Sequence, residues 1–232
     1  NRIRYEISEL RKAKPCPMHA RDFWTYMHAS LYPVGDLKAS IDLYQKMYDE
    51  VKNRVDNHIG AVAEEKYRLV FAELPPWHSL GFFDKLAERG WNFVVESWAY
   101  HPPKPMDVSK ISDPLERIAR FSYQWFSGYF EGALKAGEEM GYFGYPYVEY
   151  ARDYQCDGAL IHPLISCRAA TNCSMYIQDR LMRKLQFPSL VVEGDIVDLK
   201  LFDAEDALRK AEVFDETMEY YRKIRKDKGL GW

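Results

Sequence analysis

Tyr67-Arg68-Leu69-Val70-Phe71-Ala72 is a short apolar run stopped by Pro75-Pro76, and Trp91-Asn92-Phe93-Val94-Val95-Glu96 is a second one. Between them Phe82 to Arg89 has helical spacing and Gly90 supplies a C-terminal stop, so the stretch reads strand, helix, strand. The same unit returns downstream. Gly158-Ala159-Leu160-Ile161-His162 reads as a buried strand, Ser174 to Leu185 as a helix with Ile177, Leu181 and Leu185 on one side, and Ser189-Leu190-Val191-Val192-Glu193 as a fourth strand. Near-continuous apolar strands alternating with amphipathic helices call for a parallel sheet of about four strands covered on both faces, an α/β fold of the flavodoxin or Rossmann type with right-handed crossovers.

Working outward, a helix begins at Asp113-Pro114, with Leu115, Ile118, Phe121, Trp125 and Tyr129 expected inward. A last helix starts at Asp203 and ends in the basic run Arg222 to Lys228, where cations suit a helix C-terminus. Upstream, Leu37, Ile41, Tyr44, Tyr48, Val51 and Val55 form an apolar stripe on a helix capped by Asp36. The expected division is a helical segment over 1–62, connecting to a part N-terminal of it, and an α/β domain over 63–232. The first residue is Asn and the first turns already read as mid-helix, which points to the later portion of a longer chain.

Composition narrows the function. Thirty-two Lys plus Arg against thirty-five Asp plus Glu give a formal charge of −3 and offer no basic stripe for a nucleic acid. No apolar run reaches the roughly 18 residues of a membrane span, and the start lacks the apolar core of a signal peptide. Four cysteines in 232 residues are too few for a disulfide scaffold, so a reducing cytoplasmic setting is expected and the thiols read as core fillers, nucleophiles or ligands. There is no Gly-x-Gly-x-x-Gly after a strand, no P-loop, no Cys-x-x-Cys, no His-Glu-x-x-His and no Gly-x-Ser-x-Gly.

Ligands of open parallel sheets sit at the carboxyl ends of the strands, so four loops carry the chemistry: 73–79, 96–101, 162–173 and 193–198. In the third, Cys167 lies between a buried strand and a helix start, beside Ser166 and Arg168. The helix dipole and the adjacent cation both favour the thiolate, the form that ligates iron or attacks a substrate. The competing reading is that a free Cys is most often packed in a core. Cys156 reads as such a filler, Cys173 points away from Cys167 on the same helix, and Cys16 lies in the leading segment. Glu193, Asp195 and Asp198 follow the last strand, where capping of backbone amides competes with metal or substrate contact. Trp77 and His78 offer an apolar face and a titratable ring, or they close a sheet edge. Trp98 and Tyr100 make the second loop rich in aromatic surface, and His78, His101 and His162 are the candidate proton carriers.

The run from Asp157 to Arg168, Asp-Gly-Ala-Leu-Ile-His-Pro-Leu-Ile-Ser-Cys-Arg, followed by Pro188 to Asp198, Pro-Ser-Leu-Val-Val-Glu-Gly-Asp-Ile-Val-Asp, resembles the C-terminal domain of the benzoyl-CoA reductase and 2-hydroxyacyl-CoA dehydratase family. The resemblance covers about residue 65 to the end, and Ser-Cys-Arg with Glu-Gly-Asp-Ile-Val-Asp is most like the B-type subunits of the reductase branch. It implies that Cys167 is a ligand of a 4Fe-4S cluster whose other ligands lie in N-terminal domains. It implies a CoA thioester as substrate; for that substrate His162 and His78 are the catalytic candidates that loop position offers, and Trp77, Ser166, Arg168, Glu193 and Asp195 the substrate-binding ones. The implied partners are a homologous second catalytic subunit, ATP-hydrolysing activator subunits and ferredoxin as the upstream donor, with no nucleic acid or membrane. The implied reaction is reductive dearomatisation of an aryl-CoA, or in the other branch radical elimination of water from a 2-hydroxyacyl-CoA. A metal-free α/β assembly module is the reading that competes with both.

Overall fold

The structure, a computed structural model, describes residues 2–26, 35–96, 106–135 and 145–232. Among these, four parallel strands, β1 (Tyr67–Ala72), β2 (Trp91–Glu96), β3 (Gly158–Ile161) and β4 (Ser189–Val191), pair in the order β2-β1-β3-β4. The helices are α1 (Arg2–Leu10), α2 (Ala20–Tyr26), α3 (Leu37–Asp56), α4 (Gly81–Glu88), α5 (Pro114–Lys135), α6 (Tyr145–Asp153), α7 (Arg168–Leu185) and α8 (Ala204–Asp227). The α/β fold read from the strand-helix alternation is the one observed.

Strand alternation explains the two cores. Tyr67, Leu69 and Phe71 of β1 join Trp91, Phe93 and Leu160 against α1, α2, α4 and α8. Val70 and Ala72 turn the other way, joining Ala159 and Ile161 against α6 and α7. Every residue of β1 and β2 is therefore buried, as a sheet covered on both faces requires. A register shift between Leu69 and Val70 sets Val70 opposite Val95, and Val94 and Val95 both pack on the α6–α7 side. Gly90, with φ at +86°, makes the turn into β2; a Cβ there would lie 2.7 Å from the Lys66 Cβ and 2.9 Å from the Glu64 carbonyl.

The leading segment packs on this sheet. Trp24 of α2 meets Phe71 and Phe83 edge-to-face at 4.9 and 5.0 Å between centroids. Across the start of β1, the buried Arg68 guanidinium donates to the carbonyls of Ala13 and Tyr154 and to Glu65. Glu65 in turn accepts from the Cys16 amide and from Asn92 Nδ2, both at 2.8 Å.

Two apolar stripes depart from expectation. On α5, Leu115 and Ile118 are 74% and 63% exposed rather than inward, and Phe121 is half-buried. The Trp125 and Tyr129 side chains lie outside the described residues. On α3, Leu37 and Ile41 are exposed and the stripe is buried only at Tyr44 and Val51. In both helices amphipathic spacing marks a face able to pack without showing that another element covers all of it. No described helix is long and apolar enough to cross a membrane.

Candidate functional site

The chain passes from β1 outward to β2 and then returns across the sheet to β3, so the topology reverses between β1 and β3, the place where open parallel sheets offer a crevice at their carboxyl ends. Three loops meet there, following β1, β3 and β4. The loop after β2 lies outside the described residues, and with it Trp98, Tyr100 and His101.

Asp195 ties the three loops together. Its carboxylate accepts from the Ser166 amide at 2.8 Å and from the amides of Val197 and Asp198 at 2.7 and 3.3 Å. The Ser166 hydroxyl, with the Val197 and Ser166 amides, holds this carboxyl well below the usual carboxylate range. Its backbone carbonyl accepts from His78 Nε2 at 2.9 Å, which fixes the proton of that ring on Nε2. A parallel bridge, Leu164 to Gly194, continues the β3–β4 pairing past the strands, with the Ile165 amide donating to the Gly194 carbonyl at 3.1 Å.

This brace presents Cys167. The residue takes extended backbone angles as the N-cap of α7, and its side chain caps no amide. Of the four free cysteines it alone is not buried. Thr171 Oγ1 bridges the carbonyls of Leu164 and Cys167, starting the helix at Arg168, six residues before the expected start at Ser174. Cys173 thus falls inside α7 and packs in the core, where burial pushes its thiol up to about 11. Cys16 and Cys156 are fully buried.

His162 closes the floor of the crevice. Its amide donates to the Ala72 carbonyl at 3.2 Å and its Nδ1 to the Leu74 carbonyl at 2.7 Å, so Nε2 carries the lone pair and makes no hydrogen bond. Burial keeps the ring neutral by lowering its pKa, against the opposite pull of the Leu74 carbonyl. Those two carbonyls flank Glu73, a residue that composition and spacing did not single out. Glu73 sits in left-handed backbone (φ 78°), its amide 3.5 Å from the Tyr147 hydroxyl, and burial pushes its carboxyl up to about 7. The end of β1 therefore holds a carboxyl able to exchange a proton near neutrality.

The structure brings Ser166, Asp195, His78 and His162 together beyond the strand ends, with Cys167 next to Ser166 at the start of α7 and Trp77 packed partly against the core. Arg168 and Glu193 border it and are exposed. Among the described residues no three His, Cys, Asp or Glu side chains gather as a metal site. For a four-iron cluster these residues supply one suitable thiol, so the donor set present here does not complete it.

Residues 1–218 match the family described as 2-hydroxyglutaryl-CoA dehydratase, D-component. The chain is 22% identical to the B subunit of the benzoyl-CoA reductase of Thauera aromatica over 223 residues, 93% of this chain and 50% of that one. It is 21% identical to the alpha subunit of the (R)-2-hydroxyisocaproyl-CoA dehydratase of Clostridioides difficile over 225 residues, 96% of this chain and 52% of the other. The chain spans about half the length of the curated relatives it matches. A family match that takes in the leading helices, all four strands and every loop of the crevice shows that the chain belongs to the 2-hydroxyglutaryl-CoA dehydratase D-component family.

Proposed function

We propose that this chain is part of an iron-sulfur subunit of an enzyme acting on CoA thioesters, of the benzoyl-CoA reductase type, with Cys167 as its contribution to a 4Fe-4S cluster. The observation that carries the reading is the placement of Cys167: the one unburied thiol of the chain, at a helix N-cap, in the crevice where the sheet topology reverses. The whole enzyme would supply the remaining ligands, a second catalytic subunit, an activator that hydrolyses ATP and a ferredoxin donor. When bound, the cluster would supply single electrons. The chain's own residues do the rest: Asp195 and Ser166 hold the Cys167 turn, and His162 holds Glu73 at the crevice floor. Burial leaves Glu73 able to give or take a proton near neutrality.

The test is Cys167→Ser in the whole enzyme, purified without oxygen. Iron and acid-labile sulfide are expected to fall and turnover to be lost, with the circular dichroism of the protein retained. Unchanged iron and turnover would sink the ligand assignment. Turnover of benzoyl-CoA against a 2-hydroxyacyl-CoA separates the two reactions named by the relatives; conversion of the hydroxyacyl thioester alone would replace the reductase reading by the dehydratase one.

A further inference from the structure

A cleft of about 880 Å³ opens at the opposite end of the sheet, where β1 and β3 begin. Its walls are the turn at Lys14, the lead-in to β1 and the tail that follows α8. Six cations line it, Lys14, Lys66, Arg68, Arg222, Arg225 and Lys226, against the carboxylates of Glu65 and Asp157, in a chain whose formal charge is −3.

Both carboxylates are already engaged. Glu65 is 2.6 Å from Arg68 Nη1, and both side chains are nearly buried. Asp157 accepts from Arg222 Nε at 3.0 Å and from the Arg68 amide at 2.9 Å, and it lies 3.8 Å from Arg225 Nη2. Lys14, Lys66 and Lys226 have no carboxylate partner among the described residues. A cation in the last turn of α8 suits the helix dipole, which accounts for Lys226. It does not account for Lys14 and Lys66, which come from other segments.

The floor adds a built element. Arg225 is 2% exposed, its guanidinium held between Phe187 at 5.3 Å and Trp232 at 5.4 Å. A guanidinium carries five N–H donors. Among the described residues Arg225 makes one hydrogen bond, 3.3 Å to the Asp157 carbonyl, and its Nη2 is 3.8 Å from the Asp157 carboxylate, so the guanidinium lines the cleft with hydrogen-bonding capacity to spare. Trp232 is fixed as well, its Nε1 donating to the Cys156 carbonyl at 3.1 Å, yet the residue is 39% exposed.

We propose that this cleft binds a nucleoside diphosphate group, with the diphosphate held by Arg225 and the three lysines and the nucleoside against Trp232. A planar guanidinium fork with ammonium groups that no carboxylate neutralises is the donor set that phosphate oxygens take. The volume falls within the roughly 300–1,000 Å³ of small-molecule sites and exceeds what a single phosphate fills. An immobilised indole edge offers a base an apolar surface that needs no further ordering. The proposal does not draw on the strand-end crevice or on its chemistry.

Calorimetric titration of the chain with ADP, inorganic pyrophosphate and free CoA tests it. ADP is expected to bind with one-to-one stoichiometry, with Trp232 fluorescence changing in step and affinity falling as salt rises. Lys66→Glu with Lys226→Glu should weaken binding by about tenfold or more. Both positions are exposed, so the melting temperature should hold. Trp232→Leu should weaken ADP more than pyrophosphate. Tighter binding of ADP than of CoA assigns the group to a free nucleotide, and the reverse to the nucleotide end of a thioester. Absence of both ligands at millimolar concentration, binding unchanged in the double variant, or pyrophosphate as tight as ADP would each overturn the proposal.

Discussion

Gly194 and His162 are fitted to one another. A Cβ on Gly194 would lie 2.6 Å from His162 Nε2 and 3.0 Å from Phe202 Cδ2, and the buried imidazole cannot turn away without leaving the Leu74 carbonyl. Gly194→Ala should therefore cost about 1–3 kcal/mol, the usual range for forced overpacking. Urea unfolding measures it, and a change below a few tenths would show that the ring has room to move. Glu73 makes a prediction with a sign. Its carboxyl in the fold, at about 7, lies above the ordinary 4.5. Between those values the unfolded chain releases a proton that the folded chain keeps, so this residue makes stability fall as pH rises through the window. Glu73→Gln removes that slope and should gain on the order of 2 kcal/mol on the wild type between pH 4 and pH 8. Equal differences at both pH values would mean that the carboxyl is not buried in solution. Cys167 was legible from its place between a strand and a helix start. Glu73 was not, because its burial is a product of tertiary packing at the end of β1, where α6 brings Tyr147 to its amide.

At the scale of elements, the strands were the most legible part. β1 and β2 have the bounds read from their apolar runs, and β3 and β4 end one and two residues sooner than their runs suggest. The difference has a cause: His162, Val192 and Glu193 have left regular pairing to build the crevice. Caps were legible too. Asp36 accepts from the Ala39 amide, and Asp203 from those of Glu205 and Asp206. The start of α7 was missed because Ala169, Ala170 and Asn172 give no apolar period, while the hydroxyl of Thr171 begins the helix by bonding back to Leu164 and Cys167. The exposed faces of α3 and α5 show the converse limit. Periodicity reports that a helix has an apolar side, and what packs on that side is a property of tertiary or quaternary neighbours.

For the molecule as a whole, the open question is whether residues 1–62 unfold with the sheet or apart from it. Packing argues for together. Ile7, Met18, Phe23 and Trp24 share one core with Phe71, Phe83 and Phe93, and the Glu65–Arg68 pair bonds the chain around Ala13 and Cys16 to the start of β1. Losing the leading helices would bare that apolar face and also leave Arg68 and Glu65 short of partners, a change costly enough to couple the two parts. The expected outcome is a single transition in urea. Hydrogen exchange at α2 and at β3 should report the same midpoint and slope, since coincidence of separate probes is the mark of a two-state unit. A leading segment that exchanges at a lower midpoint while β3 stays protected would show instead that the division at 62–63 is a thermodynamic boundary, with the aromatic contacts of Trp24 too weak to carry cooperativity across it.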